Sequence, residues 1–483
     1  MNPSNPSTNS ARVVPLCVDL DGTLVRTDLF VETTFALLKK NIFAAFLLPL
    51  WLLRGKAYLK DQIARRVNID ASSLPYQTEF LDFLRQRQKA GDRLILTTAS
   101  DIRYAKAVAQ HLGIFDTVLA SDGKRNLTGS AKLEAIRDAC ADRQFDYAAN
   151  GKVDLDVWRH ANAAILVNPD GGVATAVEHT CPIERVFKDR DRNSLASYVK
   201  ALRLHHWVKN VIILLPLMLA HRANNPVLLM QVGIAFLSFG FCASSVYLLN
   251  DMFDLSFDRQ HSHKQWRPLA SGAISVMHAA VMIPALLLLA FLLALLLPPQ
   301  FFGVLLFYYV VTLAYSLRLK QHAIVDVIVL ASLYTLRIIA GAAAVSVEPS
   351  FWLLSFSMFF FLSLALVKRY SELLGILDTE TNAIAGRSYQ ASDLPLLAQF
   401  GTTSAFMSVL VLALYINSDS VQILYSRPQV IWLLCPLLLY MVTRVWLLAH
   451  HNKMHEDPVV FAIRDRPFQL LAILGIILLL VAK

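Results

Sequence analysis

Beyond residue 200 the chain becomes a succession of apolar runs, and these limit what it can be. Nine of them reach or approach the ~20 residues that a helix needs to cross a bilayer. They lie near 207–222, 227–249, 277–298, 300–317, 323–345, 351–367, 398–416, 429–449 and 467–482. In hydrocarbon every backbone polar group must be satisfied within its own segment, so the runs predict an all-α polytopic domain of about nine transmembrane helices. With 55% hydrophobic residues in 483, the chain is too apolar for an ordinary soluble protein.

The connections alternate in character. Basic or long ones carry Arg259, Lys264 and Arg267; Arg318 and Lys320; Lys368, Arg369 and Arg387; Lys453, Arg464 and Arg466. Others are short and nearly uncharged, such as "PPQ" at 298–300 and "SVEPS" at 346–350. The positive-inside bias predicts cytoplasmic basic loops, a cytoplasmic N-terminal domain and a C-terminus outside, which an odd number of spans allows. The net charge of +9 is read as this loop bias, not as a nucleic-acid surface. Cys17, Cys140, Cys181, Cys242 and Cys435 show no paired spacing and are expected to be free thiols. "MNPSNPSTNSARVVP" has no apolar signal core, and residues 1–11 are expected to form a disordered tail.

Residues 12–184 alternate apolar strands ("VVPLCVDL", "RLILTTAS", "TVLAS", "FDYAAN", "AAILVN") with helical stretches. This predicts an α/β doubly wound domain, a charged linker at 185–206 and a membrane domain at 207–483. The run "IFAAFLLPLWLL" at 42–53 is too short to span and contains Pro49. A crossing there would separate the first strand from the rest of its sheet. The run is assigned to a helical cap insertion at about 28–78. It is either a buried helix or one lying in the membrane interface, with Lys39, Lys40, Arg54 and Lys56 at the headgroups.

"VDLDGTLVRTD" places Asp19 and Asp21 at a strand end, where two carboxylates can act as nucleophile and proton donor and together hold Mg²⁺. Gly22 lets the backbone turn away. The segment resembles the haloacid dehalogenase (HAD) superfamily of aspartate-nucleophile phosphatases over roughly residues 12–180. The resemblance implies Asp19 as nucleophile and Asp21 as general acid/base. "LILTTAS" looks like the motif whose hydroxyl grips phosphate, assigned to Thr98 with Thr97 and Ser100 as competitors. "NLTGSAKLEAI" looks like the motif whose lysine neutralises the phosphoaspartate, Lys132 with Lys124 as competitor. In "YAANGKVDLDVW" Asp154 fits the second acid of a metal-binding pair, while Asn150 stands where the first is expected. That departure predicts weakened Mg²⁺ binding.

"NDMFDLSFD" sets Asn250, Asp254 and Asp258 one helical turn apart, with Asp251 close to the same face. No basic residue inside the segment neutralises them. Such crowding suits a divalent cation such as Mg²⁺, which in turn could hold a diphosphate. Cations stand at the cytoplasmic mouths of other segments: Lys209 beside Asn210, Lys264 and Arg267, Lys320 near Asp326, Lys368 and Arg369 near Glu372, and Arg464 and Arg466. Arg337 is a candidate because a charge within a span is expensive.

With nine spans, "NDMFDLSFD" resembles the UbiA superfamily of membrane prenyltransferases over residues 200–483. "LRLHHWVKN", "NDMFDLSFDRQHSHKQWRPLASG", "VKRYSELL" and "AIRDRPFQLL" together look most like its decaprenyl-phosphate phosphoribosyltransferase branch. Ordinary members carry a second acid-rich motif, whereas "HAIVDVIVLASLYTLR" offers only Asp326, which favours a single metal–diphosphate centre. The resemblance implies transfer of a 5-phosphoribosyl group from phosphoribosyl pyrophosphate to a polyprenyl phosphate. Mg²⁺ would rest on Asn250, Asp254 and Asp258 with Asp251 in support, and Lys209, Lys320, Lys368 and Arg369 would hold phosphates. The HAD-like domain would then remove the product's 5-phosphate. The implied location is a bacterial inner membrane. The alternatives are a prenyl diphosphate transferase acting on an aromatic or other small acceptor, and a transporter or scaffold. The loss of the second motif speaks against the first, and the gathering of charge at one set of helix ends against the second.

Overall fold

In the computed structural model the described residues are 14–140, 144–189, 193–261, 264–375, 388–418, 421, 425–454 and 457–482. The tail expected at 1–11 and Arg387 lie outside them. Two compact units emerge. One runs up to Leu202 and takes in Tyr247–Ile283; the other comprises Arg203–Val246 and the chain from Pro284 onward. The segment bearing "NDMFDLSFD", expected in the membrane domain, therefore groups with the N-terminal unit. The helix Pro226–Phe253 runs through the division.

The N-terminal unit is built on a parallel six-stranded sheet of order β3-β2-β1-β4-β5-β6. The strands are β1 Leu16–Asp19, β2 Leu94–Asp101, β3 Thr117–Ser121, β4 Asp146–Ala149, β5 Ala164–Val167 and β6 Ile183–Phe187. Near-continuous apolar runs make the central strands, because both faces are covered. Leu16, Val18, Leu96 and Ile165 face one buried cluster, and Cys17, Ile95, Tyr147 and Leu166 the other. β6 was not expected: Glu184, Arg185 and Val186 are exposed at the sheet edge, and the strand overlaps the predicted linker. The sheet grows in both directions from β1, so the strand order switches between the parallel neighbours β1 and β4. A crevice opens there at the strands' carboxyl ends.

Four α-helices lie between β1 and β2, and the first three are α1 Leu29–Lys40, α2 Ala44–Leu53 and α3 Lys56–Ala64; the fourth is Thr78–Lys89. Of α2 only Ala44 and Trp51 are buried, while Phe43, Phe46 and Leu53 are 70%, 75% and 85% exposed. The buried alternative for 42–53 is thereby overturned.

The second unit is helical. Among the described residues seven helices are long and apolar enough to cross a membrane: Pro226–Phe253 and Val276–Ala294, which both run across the division, and Pro299–Leu317, Val325–Ala344, Phe351–Leu374, Ala391–Ile416 and Pro428–His450, which lie within this unit. Shorter apolar helices, Leu204–Leu219 and Arg466–Ala482, stand where the first and last of nine spans were expected. Leu204–Leu214 is wound as a 3₁₀-helix and Leu215–Leu219 as an α-helix. The tighter winding rises ~2.0 Å per residue, so this short stretch extends roughly 30 Å, the thickness of a bilayer core.

Its close approach to Val325–Ala344 depends on Gly341, where an added Cβ would come 2.1 Å from the Ile213 carbonyl oxygen. Small residues permit such backbone contact between apolar helices. Gly341→Ala should force the helices apart at a cost of about 1–3 kcal/mol. A lowered thermal midpoint of the detergent-solubilised protein checks this.

Candidate active sites

At the carboxyl end of β1 the chain turns at Gly22, whose φ is +76°. A Cβ there would lie 2.7 Å from the Asn150 amide nitrogen, so glycine lets the β1 and β4 loops meet. Lys132, at the start of helix Ser130–Ala139, is buried behind Asp19. Its Nζ donates at 2.9 Å to Asp19 Oδ1, to Asp154 Oδ1 and to the Tyr147 hydroxyl. The Tyr147 hydroxyl in turn donates to Asp154 Oδ1 at 2.8 Å. Burial pushes the Asp19 carboxyl up to about 7 despite the opposing pull of Lys132. Burial alone would lower Lys132, but Asp19, Tyr147 and Asp154 hold it well above the ordinary lysine range, so it stays an ammonium.

Asp21 Oδ2 accepts from Ser100 Oγ at 2.6 Å and Thr98 Oγ1 at 3.3 Å, and Asp21 Oδ1 accepts from Leu29 N at 2.8 Å. Burial, aided by Asp28, pushes this carboxyl up to about 6, which suits proton transfer near neutrality. Thr98 and Ser100 thus share one acceptor. Thr97 points into the sheet, donating to Val18 O at 3.3 Å, and Lys124 is exposed on a turn. The Thr23 hydroxyl lies 3.2 Å from Asn150 Oδ1 and 3.4 Å from Asp19 Oδ2.

Two participants went unforeseen. Tyr147 reads in sequence as an ordinary strand residue. Lys60 of α3 belongs to no motif, yet its Nζ donates to Ala99 O at 2.6 Å and Asn126 Oδ1 at 3.0 Å. Burial lowers its pKa.

The acidic segment differs from expectation. Its helix does not run on unbroken: Pro226–Phe253 ends, Asp254 takes φ −102° and ψ 10°, and Leu255–Gln260 begins. Asp254 N still donates to Asn250 O at 3.0 Å and Asp258 N to Asp254 O at 2.8 Å, which keeps the one-turn spacing. The acids are not left without cations. Arg267 Nη1 donates to Asp251 Oδ1 at 3.2 Å and Asp258 Oδ2 at 2.6 Å, and Lys39 Nζ to Asp254 Oδ1 at 2.6 Å. Burial moves Asp258 up, with Arg267 pulling against it. Asn250 is half-buried, and Lys264 Nζ stands 5.1 Å from the centre of the Phe257 ring.

Among the described residues no three His, Cys, Asp or Glu side chains form a ready metal cage. Asp251 and Asp258 nonetheless share one guanidinium nitrogen, and Asp19 and Asp154 share one ammonium. Each pair is close enough to share a cation. Mg²⁺ is usually held by one or two carboxylates, with water and substrate phosphate filling its remaining positions. The oxygen donors of both sites fit that pattern.

In the membrane unit the expected residues fall into separate groups. Lys209 and Lys368 converge on Asp457 Oδ2 at 2.6 and 3.4 Å, and the Tyr334 hydroxyl donates to Asp457 Oδ1 at 3.3 Å. Asp457 stands five residues before "AIRDRPFQLL" and was not among the expected site residues. Burial alone would raise its pKa, yet Lys368 and Lys209 hold it below the ordinary carboxylate range. Arg337 Nε donates to Asn210 Oδ1 at 3.1 Å and Arg337 Nη2 to the Tyr308 hydroxyl at 3.0 Å. The buried Nδ2 of Asn210 has no hydrogen-bond partner.

Arg369, expected to hold phosphate, is 0% exposed. Its guanidinium is bonded to both oxygens of Asp326, to Glu372 and to the Tyr315 hydroxyl. Asp326 and Glu372 are taken up by the same network. Lys320 is half-buried in a 3₁₀ turn, and Arg464 and Arg466 are exposed.

Residues 210–473 match the UbiA prenyltransferase family, and residues 16–155 the haloacid dehalogenase-like hydrolases. The uncharacterized protein y4nM of Sinorhizobium fredii is 34% identical over 467 residues, covering 94% of this chain and 88% of that protein. The decaprenyl-phosphate phosphoribosyltransferase of Mycobacterium tuberculosis is 33% identical over 295 residues, 60% of this chain and 95% of that protein. A UbiA homolog from Archaeoglobus fulgidus bound to GPP and Mg²⁺ has a TM-score of 0.46 and 18% identity, covering 58% of this chain and 97% of that one. The chain belongs to the UbiA prenyltransferase family and carries a HAD-like domain ahead of its membrane helices. It is a multi-pass membrane protein.

Removing either partner of the enclosed pair strands the other's charge. Asp326→Leu and Arg369→Leu should each destabilise by about 3–5 kcal/mol, with the double substitution recovering much of the loss. Unfolding midpoints in detergent, compared as a double-mutant cycle, measure this.

Proposed function

We propose that the membrane unit transfers a 5-phosphoribosyl group from phosphoribosyl pyrophosphate to a polyprenyl phosphate, and that the HAD-like domain removes the product's 5-phosphate. The transferase reading rests chiefly on Asp326. It is the acid that stands in the stretch where the family's second motif is expected. It is 0% exposed, and both its oxygens are committed to Arg369 and Tyr315. One acidic cluster then remains for metal, which suits one metal–diphosphate centre better than a prenyl diphosphate ionised between two. The similarity to the mycobacterial phosphoribosyltransferase supports the same donor and acceptor.

Mg²⁺ on Asn250, Asp254 and Asp258, with Asp251 in support, would supply charge neutralisation to the departing pyrophosphate. Lys209 and Lys368 would exchange the Asp457 carboxylate for a substrate phosphate, an equally good partner for two ammonium groups. The unpartnered Nδ2 of Asn210 would donate a further hydrogen bond, its amide oriented by Arg337. Arg369 acts by positioning and Asp326 with it; neither reaches substrate. An oxygen of the lipid phosphate attacks ribose C1, so the transfer needs no protein nucleophile.

In the HAD-like domain, Asp19 attacks the 5-phosphate. Asp21 protonates the ribose oxygen as it leaves and then accepts a proton from the attacking water. Lys132 pairs with the phosphorylated aspartate. The exposed apolar α2, flanked by Lys39, Lys40, Arg54 and Lys56, suits work on a lipid-linked substrate at a membrane surface. The location consistent with this chemistry is the bacterial inner membrane, with the HAD-like domain in the cytoplasm.

Membranes containing the protein, given Mg²⁺, labelled phosphoribosyl pyrophosphate and polyprenyl phosphate, should yield labelled lipid. Asp254→Ala should lower that yield by about 100-fold or more. Asp19→Asn should leave the yield intact while the lipid product keeps its 5-phosphate. A wild-type protein that makes no labelled lipid but consumes a prenyl diphosphate would refute the assignment.

A further inference from the structure

Helix α1 of the N-terminal unit touches both acidic sites of that unit. At its start, Leu29 N donates to Asp21 Oδ1 at 2.8 Å. In its last turn, Lys39 Nζ donates to Asp254 Oδ1 at 2.6 Å. Between them stands Glu32, which meets Arg259 as a bidentate pair: Nη1 to Oε1 at 2.8 Å and Nη2 to Oε2 at 2.9 Å. Both side chains are nearly enclosed, with 5% of Arg259 and 10% of Glu32 exposed. Thr27 Oγ1 holds Glu32 Oε2 from the other side at 2.9 Å.

The third side of Arg259 is committed as well, since its Nε donates to Ala270 O at 3.1 Å. One guanidinium therefore ties Leu255–Gln260, which carries Asp258, to the loop that carries Arg267. Arg267 is the residue that bridges Asp258 and Asp251. Further contacts fix the helix and the loop in turn: Gln260 Nε2 donates to Asp70 Oδ2 at 3.1 Å, and Asn193 N to Ala273 O at 2.7 Å. Gly272 is pressed so close to Arg26 that an added Cβ would meet the Arg26 Cβ at 2.5 Å.

We propose that Glu32, a residue of the phosphatase-like domain, is a positioning residue for the acidic cluster of the transferase. Acting through Arg259, it sets the separation of Asp251 and Asp258, and Lys39 on the same helix sets Asp254. Carboxylates this crowded repel one another, so something must hold them in place before a cation arrives. A buried bidentate pair is rigid enough to do so. The fused domain would then complete the membrane enzyme's cation site, and α1 would link Asp21 at its start to Asp254 at its last turn. The inference rests on the acidic cluster being a divalent-cation site, and is independent of which donor is used.

The test measures Mn²⁺ binding, by loss of the free-ion EPR signal, on the full chain in detergent. Asp19→Asn and Asp154→Asn are present throughout to silence the phosphatase site. Glu32→Gln and Arg259→Gln should each weaken binding about 10- to 100-fold, as loss of a partner behind a metal ligand does. The exchange of Glu32→Arg with Arg259→Glu should restore most of it. Glu32→Asp keeps the charge but shortens the reach, and should weaken binding less; it decides the matter if the glutamine variant fails to fold. Parent-like affinity in Glu32→Asp and Glu32→Gln, with only a lowered thermal midpoint, would mean a purely structural pair and overturn the proposal. An exchange variant that binds as poorly as the single variants would also overturn it. Mn²⁺ binding indifferent to Asp254→Ala would instead sink the cation site itself.

Discussion

A charge taken out of water must find a partner, and that requirement organises every functional region of this protein. Lys132 is enclosed because three oxygens surround its ammonium. Arg369 can be wholly buried inside a membrane-spanning helix because Asp326, Glu372 and Tyr315 take up its guanidinium. Asp251 and Asp258 tolerate each other through Arg267. Breaking such a pair costs far more than forming it contributes, since one partner is left charged and unsolvated. The pairs therefore specify geometry more than they add stability.

They also separate positioning residues from those able to meet a ligand. The Arg369–Asp326 pair is closed on all sides and has nothing left to offer. Lys209 and Lys368 are different. Two ammonium groups share one carboxylate oxygen, so Asp457 leaves positive charge in excess. In the proposed transferase a substrate phosphate would take the place of that carboxylate and pair with both lysines. Arg267 stands in the same relation to Asp251 and Asp258, where a divalent cation could replace a monovalent one. A site whose resting contacts can be exchanged for a ligand of like charge needs little rearrangement to bind.

Local signals in the sequence carried much of this, and distant ones did not. Asp19, Lys132 and Asp154 stand in short motifs at strand or helix ends that resemble those of the HAD family, and the fold brings the three together. The spans follow from apolar runs alone. Glu32 and Arg259 are separated by 227 residues and Lys209 and Asp457 by 248, so no periodicity links either pair. Arg369 looked like one more basic residue at a helix end because burial leaves no mark on a single sequence. β6 escaped because an edge strand with exposed Glu184 and Arg185 lacks the apolar run that reveals a central one. The break at Asp254 was hidden for another reason: one-turn spacing survives it, as the backbone bonds to Asn250 and from Asp258 both persist.

Asn150 illustrates how one neutral substitution alters the balance of such a site. With Asp19 ionised, it and Asp154 leave one negative charge in excess of the Lys132 ammonium that bonds both. A divalent cation turns that into a single positive charge, and a phosphate dianion turns it negative again. An aspartate at 150 would have made the metal-loaded site neutral, favouring retention of metal without substrate. With asparagine there, a divalent cation would be held less strongly by itself and the loaded site would attract phosphate more. The Thr23 hydroxyl, donating to Asn150 Oδ1 at 3.2 Å, holds the amide at the site despite its missing charge. Metal and substrate should therefore bind together, each supplying the charge that the other lacks.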